Sequence, residues 1–325
     1  MKNPMVSVLL SVYNGEKYLD EAIESILNQT YQDFEFIIIN DGSTDKSLEI
    51  IEKYKKEDNR IVVISRENKG LIYSLNEGIS QAKGKYIARM DADDISLATR
   101  FEEQVKFMEK NLDIGICGTA VIGFGEGIKE NTWKLSTADK TIKTGLLFSS
   151  CFAHPTVMIR RKLILEKKLY YDKRILHAED FELWTRMAIY TKFANLKIPL
   201  LKYRVLNNSI TREANKDENK RYLVIKSIFE LYLKSLNIQN NEEENRLHFN
   251  LSENIRIRDN NIEFSILENY FSKIIKANNR EKIFDNVELK KVLGKKWLWN
   301  VYYRKDIMAV FSQYFIFGLW SILTK

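Results

Sequence analysis

Over the first 90 residues, short apolar runs alternate with segments whose apolar positions recur at helical spacing. Residues 6–11, 34–39, 61–65 and 86–90 predict buried strands. Residues 19–28, 44–56 and 71–82 predict amphipathic helices, the first carrying Leu19, Ala22, Ile23 and Ile26 on one face. Asn40, Asp41, Gly42 and Ser43 form a polar turn with residues suited to capping the second helix. A β-α-β-α-β-α-β order implies a mainly parallel sheet with right-handed crossovers and helices on both faces. Further on, the pattern predicts a helix over 98–111 and a strand pair or bulged strand over 114–124. It then predicts a strand over 156–159, a helix over 180–190 and a strand over 200–205. From about residue 215 it turns helical with polar breaks, over 222–236, 243–256 and 264–277. We therefore expect an α/β domain over 1–215 and a helical region over 216–325.

Length and composition limit the alternatives. The 325 residues are enough for about two domains. With 45% hydrophobic residues, intrinsic disorder is excluded as the main state, and 13 Gly and 3 Pro exclude collagen-like chains. Cys117 and Cys151 are too few for a disulfide framework and are expected as core thiols. With no signal-peptide pattern, they lead to the expectation of a reducing cytosol.

Charge adds a second division. The net charge is +7, but residues 1–215 hold 32 basic against 30 acidic side chains. Residues 216–288 hold 12 against 13, and residues 289–325 hold 7 against 1. A near-neutral body with a basic end is not a nucleic-acid-binding pattern, so no nucleic-acid partner is expected.

Ligands of parallel α/β sheets bind beyond the carboxyl ends of the strands. There the chain places Asp41 after the second strand and Asp91, Asp93 and Asp94 after the fourth. In an extended segment Asp91 and Asp93 point to one side, where both can face a ligand. One or two carboxylates, together with phosphate oxygens, can hold a hard divalent cation such as Mg²⁺ or Mn²⁺. The plainer alternative is that Asp93 or Asp94 caps the next helix and Asp91 is only solvated. Asp41 has a similar alternative in turn chemistry. The loop from Ser11 to Glu16, with Tyr13 and Asn14, could hold a base or ribose or simply turn. There is no Walker or Rossmann glycine cradle, so metal and side chains must meet phosphate charge.

The ordered segments are Val6-Ser-Val-Leu-Leu-Ser-Val-Tyr-Asn14, Asn40-Asp-Gly-Ser-Thr-Asp45, Asn68-Lys-Gly70, Ser74-Leu-Asn-Glu-Gly-Ile79, Ala82-Lys-Gly-Lys-Tyr-Ile87, Met90-Asp-Ala-Asp-Asp94, Arg100, His154-Pro155 and His177-Ala-Glu-Asp-Phe-Glu-Leu-Trp184. Over roughly residues 5–205 this series resembles the family 2 glycosyltransferases, inverting enzymes of the GT-A fold, above all bacterial members that build surface polysaccharides. The resemblance implies that Ser11, Tyr13, Asn14, Glu16 and Asp41 hold the nucleoside. It implies Asp91 and Ala92 at the ribose and metal region, and Asp93 on a Mn²⁺ or Mg²⁺ ion. Glu179-Asp180 matches the family's Glu-Asp motif, which makes Asp180 the general base. Leu75 stands where many members carry Arg, so Arg66, Lys69 or Arg89 is expected to meet the diphosphate instead. His154 is expected near the acceptor, as a core or supporting histidine and not a metal ligand.

The implied reaction is a single displacement. It moves a sugar from a nucleotide sugar, UDP-linked by the resemblance, to a hydroxyl of a glycan or lipid-linked acceptor. One positioned carboxylate suffices as base. Two other readings remain: a catalytically silent nucleotide-binding membrane partner, and a sugar nucleotidyltransferase. The latter normally carries a Gly-rich N-terminal loop with a Lys, which residues 11–16 lack.

Residues 307–323 contain no charged side chain. As one helix this run would be ~26 Å long, short of a ~30 Å hydrocarbon core. Lys290, Lys291, Lys295, Lys296, Arg304 and Lys305 precede it and Lys325 follows it. Trp297, Trp299, Tyr302, Tyr303 and Trp320 are residue types of the membrane interface. Residues 289–325 are thus expected to hold the chain peripherally on an anionic membrane surface, at its cytoplasmic face. The alternatives are a soluble helix packed on the catalytic domain or one side of a dimer.

Overall fold

The computed structural model describes residues 3–206, 209–260, 262–305 and 307–324. Lys325 lies outside the described residues. The chain divides into two compact units: residues 1–138 with 152–213, and residues 139–151 with 214–325. The chain passes from the first unit to the second after residue 213, and the short segment 139–151 clusters with the C-terminal residues.

The first unit opens as the periodicity predicts. Strands β1 (Val6–Val12), β2 (Phe34–Asp41), β3 (Ile61–Arg66) and β4 (Tyr86–Asp91) alternate with helices α1 (Leu19–Leu27), α2 (Ser47–Glu57) and α3 (Leu71–Gln81). These four strands pair in parallel in the order β3-β2-β1-β4. β1 and β4 are buried along nearly their whole length, as strands covered on both faces must be. After β4 come β5 (Ile95–Ser96), α4 (Arg100–Lys110), β6 (Ile114–Gly125) and β7 (Ile128–Trp133).

Next is helix α5 (Asp139–Gly145), which belongs to the second unit. The first unit resumes with β8 (Met158–Arg160), α6 (Arg161–Lys167), α7 (Glu179–Met187) and β9 (Lys192–Arg204). The sheet continues β4-β8-β6-β9-β5, with β7 on β6. Among the described residues of this half, β6 pairs with β9 in parallel and the other pairs are antiparallel. The sheet is thus parallel through its N-terminal strands and mixed beyond.

Residues 114–125 form one long strand with register shifts against β9 after Ile114, Thr119 and Ala120, the bulged strand among the two expected forms. Two local readings change. The strand expected at 156–159 begins at Met158, because His154–Thr156 is a 3-10 turn. Asn40 and Asp41 close β2 and cap no helix: Ser47 N–H at the start of α2 is met by Asp45 Oδ1 at 2.9 Å.

The second unit contains α8 (Ile210–Ala214) at its border, then α9 (Glu218–Leu233), α10 (Glu242–Ser252), α11 (Asn254–Asn260), α12 (Phe264–Glu281), α13 (Asn286–Arg304) and α14 (Gln313–Leu323). Glu253 separates α10 from α11, so the helix expected over 243–256 is two. α13, which the apolar pattern did not mark, buries Leu289, Leu293 and Trp297. Segment 139–151 is tied in by Leu147, whose carbonyl accepts from His248 Nε2 at 2.5 Å, and by the stacking of Phe148 on His248. Tyr270 Oη lies 2.6 Å from His248 Nδ1. Burial holds the His248 imidazole down at about 4, so it is neutral at pH 7.

The uncharged C-terminal run is not one helix. Residues 307–311 form a 3-10 turn, and Ser312 caps α14 by accepting from Tyr314 N–H. α14 has eleven residues, about 16 Å of rise. No helix among the described residues is long and apolar enough to cross a membrane. Trp297 is not at a surface: it is 1% exposed and its Nε1 donates to Ala309 O at 3.0 Å. Lys296 and Arg304 are also turned inward, donating to the carbonyls of Ser252 and Ile262.

Candidate active site

The site is built where β1, β2 and β4 end. The Asn14 backbone is left-handed (φ 53°), which lets the loop after β1 fold against the loop after β2. Asn14 Oδ1 accepts from Thr44 N–H at 2.8 Å, and Asn14 N–H donates to Ser43 Oγ at 3.0 Å. Glu16 closes the same clamp, accepting from Lys46 N–H and donating its own N–H to Asp45. Asn14 and Glu16 thus shape the rim, while Tyr13 projects outward, 55% exposed. Ser11 sits on β1 in register with Asp91.

Asp41 is almost fully buried. Its Oδ1 accepts from Lys69 N–H and its Oδ2 from Gly70 N–H, both at 2.9 Å, and it pairs with Arg66. Gly42 (φ +74°) permits this, since a Cβ there would lie 2.5 Å from Asn68 N. Arg66 also donates to Glu77 at 2.9 Å and to Ser74 Oγ at 2.8 Å. Arg66 therefore braces the loop 67–70. Lys69 is more exposed, with its ammonium 3.5 Å from Glu67. Leu75 is in the core.

At the end of β4, carboxylate oxygens of Asp91, Asp93 and Asp94 all lie within 4.8 Å of one another. The cause is not strand alternation. β4 stops at Asp91, and Ala92-Asp93 form a turn that folds the carboxylates together. Asp94 caps no helix either; its Oδ1 accepts from Arg204 N–H on β9 at 2.7 Å. Its Oδ2 is buried without a hydrogen-bond partner. Burial first, then the charge of Asp91, raises Asp93 above its usual range, and the same causes with Asp93 added raise Asp94 further. Asp91 is not merely solvated, because it is paired with the buried Arg89. Arg100, buried in α4, donates to Arg89 O at 2.7 Å and so fixes the backbone just before the acidic turn. Burial lowers its guanidinium to about 9.

Glu179 and Asp180 open α7, with Glu179 buried and Asp180 half-buried. Burial, then the charge of Asp180, pushes Glu179 up to about 7. Glu179 also feels Arg89 and Asp91, which places the start of α7 beside the end of β4. Tyr171 feels the same groups: burial raises its phenol, with Arg89 opposing and Asp180, Glu179 and Asp91 adding to the rise. Tyr171 Oη is 2.8 Å from His154 Nε2. His154 is held well below its usual range by burial and by Arg89, and is therefore neutral. His177 is exposed with a left-handed backbone (φ 63°).

Sequence reasoning missed Tyr171, Arg89 as the partner of Asp91, and the role of Asn76. Asn76 accepts from Tyr171 N–H and donates to Tyr171 O, both at 2.9 Å. An amide carries a donor and an acceptor side by side, which lets it satisfy both backbone groups of one residue. Its position in a conspicuous Ser-Leu-Asn segment was the available signal.

The sheet order and an acidic turn after β4 define a GT-A protein, and the solved structures agree. Staphylococcus aureus TarS 1–349, in complex with UDP-GlcNAc, superimposes with a TM-score of 0.62 at 20% identity, covering 92% of this chain and 89% of that one. The family model for glycosyl transferase family 2 matches residues 7–168. An uncharacterized glycosyltransferase of Haemophilus influenzae is 37% identical over 234 residues, 69% of this chain and 72% of the relative. The O-antigen biosynthesis glycosyltransferase WbnJ of Escherichia coli is 38% identical over 217 residues, 65% and 83% of the two chains. The chain belongs to glycosyltransferase family 2.

Proposed function

We propose that the chain transfers a sugar, with inversion, from a UDP-sugar to a hydroxyl of a glycan or lipid-linked acceptor in surface-polysaccharide synthesis. The observation that carries this reading is the meeting of two acidic groups at one strand end: the Asp91-Asp93-Asp94 turn and the Glu179-Asp180 pair. The relative WbnJ, a protein of O-antigen biosynthesis, supports the polysaccharide context, and TarS, bound to UDP-GlcNAc, supports the donor class.

The acidic turn fits a divalent cation. Its oxygens are hard donors, they lie close enough to repel one another, and Asp94 Oδ2 is a buried acceptor with no donor. Asp93 would hold Mn²⁺ or Mg²⁺, with Asp91 beside it; the cation, when bound, supplies charge neutralisation for the leaving diphosphate. Arg89 pairs with Asp91 and aims it. Asp41, the loop 11–16 and Ala92 line the nucleoside side. Asp180 takes the proton of the acceptor hydroxyl, and Glu179, raised to about 7, carries less negative charge beside it near neutrality than an ordinary carboxylate. Neutral His154 and Tyr171 support the floor next to Asp180.

Replacing Asp180→Asn keeps the shape and removes the base. We expect a fall in kcat of roughly 10²–10⁴-fold, the usual worth of general-base catalysis, with the UDP dissociation constant within a few-fold of wild type. Wild-type turnover in this variant sinks the assignment.

The second unit carries the membrane part of the proposal. α14 and the 3-10 turn before it expose Met308, Phe311, Ile316, Leu319, Trp320, Ile322 and Leu323. Trp299 and Tyr302 are exposed on α13, the helix that carries Lys290, Lys291 and Lys295. Apolar and aromatic side chains with basic neighbours suit a shallow, peripheral seat on anionic lipid, at the cytoplasmic face of the membrane.

A further inference from the structure

β7 is an unusual strand: all six residues are exposed, and it pairs only with β6 among the described residues. Its register sets Trp133 opposite Val121 and Asn131 opposite Gly123, so Trp133 and Asn131 share one face. Tyr203 on β9 is in register with Gly123 from the other side. Because Gly123 has no side chain, the indole lies over it; a Cβ there would meet the Trp133 ring at 2.7 Å. The ring is further fixed by Tyr203, with centroids 5.4 Å apart, and by its Nε1 donating to Asn131 Oδ1 at 3.0 Å. An indole held from three sides is still 38% exposed.

Its location gives this exposure a use. Tyr203 immediately precedes Arg204, whose N–H binds Asp94, so Tyr203 is the β9 residue next to the one that holds the acidic turn, and Trp133 packs on it from across β6. The charge around the Tyr203 phenol agrees: after burial, Asp91, Asp94 and Asp93 raise it and Arg89 opposes them.

Resting on the glycosyltransferase reading, we infer that Trp133, braced by Gly123 and Tyr203, is a stacking platform for a pyranose ring of the acceptor. A pyranose has an apolar face of C–H groups and a rim of hydroxyls. A preorganised aromatic ring takes the first, and an amide such as Asn131 suits the second. Apart from Ile128 at its start, the rest of β7 (Lys129, Glu130, Asn131 and Thr132) is polar, which suits a hydroxyl-rich ligand better than an apolar protein or lipid surface.

The test uses the full chain with UDP and Mn²⁺ and a panel of methyl glycopyranosides of glucose, galactose, mannose and N-acetylglucosamine. Saturation-transfer NMR should show ring-proton contact with at least one glycoside. Trp133→Phe should retain it, and Trp133→Ala should weaken it about tenfold, about 1.4 kcal/mol. In transfer assays the loss should appear as a raised acceptor KM, with the donor KM moving less than about twofold. Undiminished glycoside contact in Trp133→Ala, or no contact of any glycoside with wild type, overturns the platform. Turnover of nucleotide sugars by the wild type reads the underlying activity separately: turnover with unaltered glycoside binding in Trp133→Ala removes the platform alone. Absence of turnover with every nucleotide sugar tested removes both.

Discussion

Glu179 shows how far an individual residue's chemistry depends on its surroundings. In the sequence it is an acidic residue at a helix start, where the helix dipole favours its charge. In the fold it is buried beside Asp180, and its carboxyl rises from 4.5 to about 7. Between those values the folded chain holds a proton that the unfolded chain has released, so stability falls as pH rises. The loss over that interval reaches about 3 kcal/mol, at 1.36 kcal/mol per pH unit. Glu179→Gln should remove this slope. Asp93 and Asp94, also raised, keep their own slope, so denaturant midpoints of the metal-free protein at pH 5 and pH 8 should lie closer together in the variant than in wild type. An unchanged difference between wild type and variant at the two pH values contradicts a buried, protonated Glu179. Asp41 makes the complementary point: an acidic residue in a polar turn proves to be an internal acceptor that shapes loop 67–70 through Lys69, Gly70 and Arg66.

At the scale of elements, α13 and α14 show why the C-terminal run had to be read in three dimensions. Each helix contributes one glycine to the crossing, and the backbones meet there. A Cβ on Gly294 would lie 2.3 Å from Gly318 N, and one on Gly318 would lie 2.6 Å from Gly294 O. Replacing a helical glycine gains up to about 1 kcal/mol of helix propensity. Here the obstacle is backbone, which cannot rotate away, and overpacking of this kind costs about 1–3 kcal/mol or more. Gly294→Val should therefore destabilise the second unit, lowering its melting temperature and red-shifting the emission of the buried Trp297. A variant as stable as wild type would mean that the two helices do not pack in this way. Through the same contact α14 packs on α13 within the second unit, burying Tyr314, Gly318 and Ser321. Its other face stays exposed, so packing and membrane contact are compatible.

For the whole molecule, charge and apolar exposure concentrate at one end of the chain. The first 215 residues are close to neutral, while residues 289–325 carry six more basic than acidic side chains. Lys296 and Arg304 serve inside the fold, which reduces the cations open to a surface. Each remaining one near an anionic surface is worth about 1 kcal/mol, and salt weakens it. We expect full-length protein to co-sediment with phosphatidylglycerol-containing vesicles at low salt, less with phosphatidylcholine alone, and to be partly released by raised salt. Leu319→Glu with Ile322→Glu should abolish binding. Vesicle binding that ignores lipid charge, or survives both substitutions, contradicts the proposed seat.

The alternating β-α order was legible because each apolar run of the first 91 residues is buried by its immediate neighbours, so local period and tertiary burial coincide. The acidic positions, Asn14, Asp41 and the Glu179-Asp180 pair were legible because strand ends and helix starts lie at fixed places in such a fold. Other features depended on contacts between distant residues. Asp93 meets Asp91 through a turn, Asp94 is held from β9, 110 residues later, and Asn76 grips Tyr171 from 95 residues away. α13 escaped notice because it buries side chains at both faces among α5, α11, α12 and α14, leaving no clean apolar stripe to read. By itself, then, the sequence determined the elements and the kinds of groups at the strand ends, since both follow from local period and side-chain chemistry. Only the tertiary structure decided which of those groups share a site, which carry a proton, and which aromatic rings are core or surface, because burial and charge proximity are properties of the packed chain.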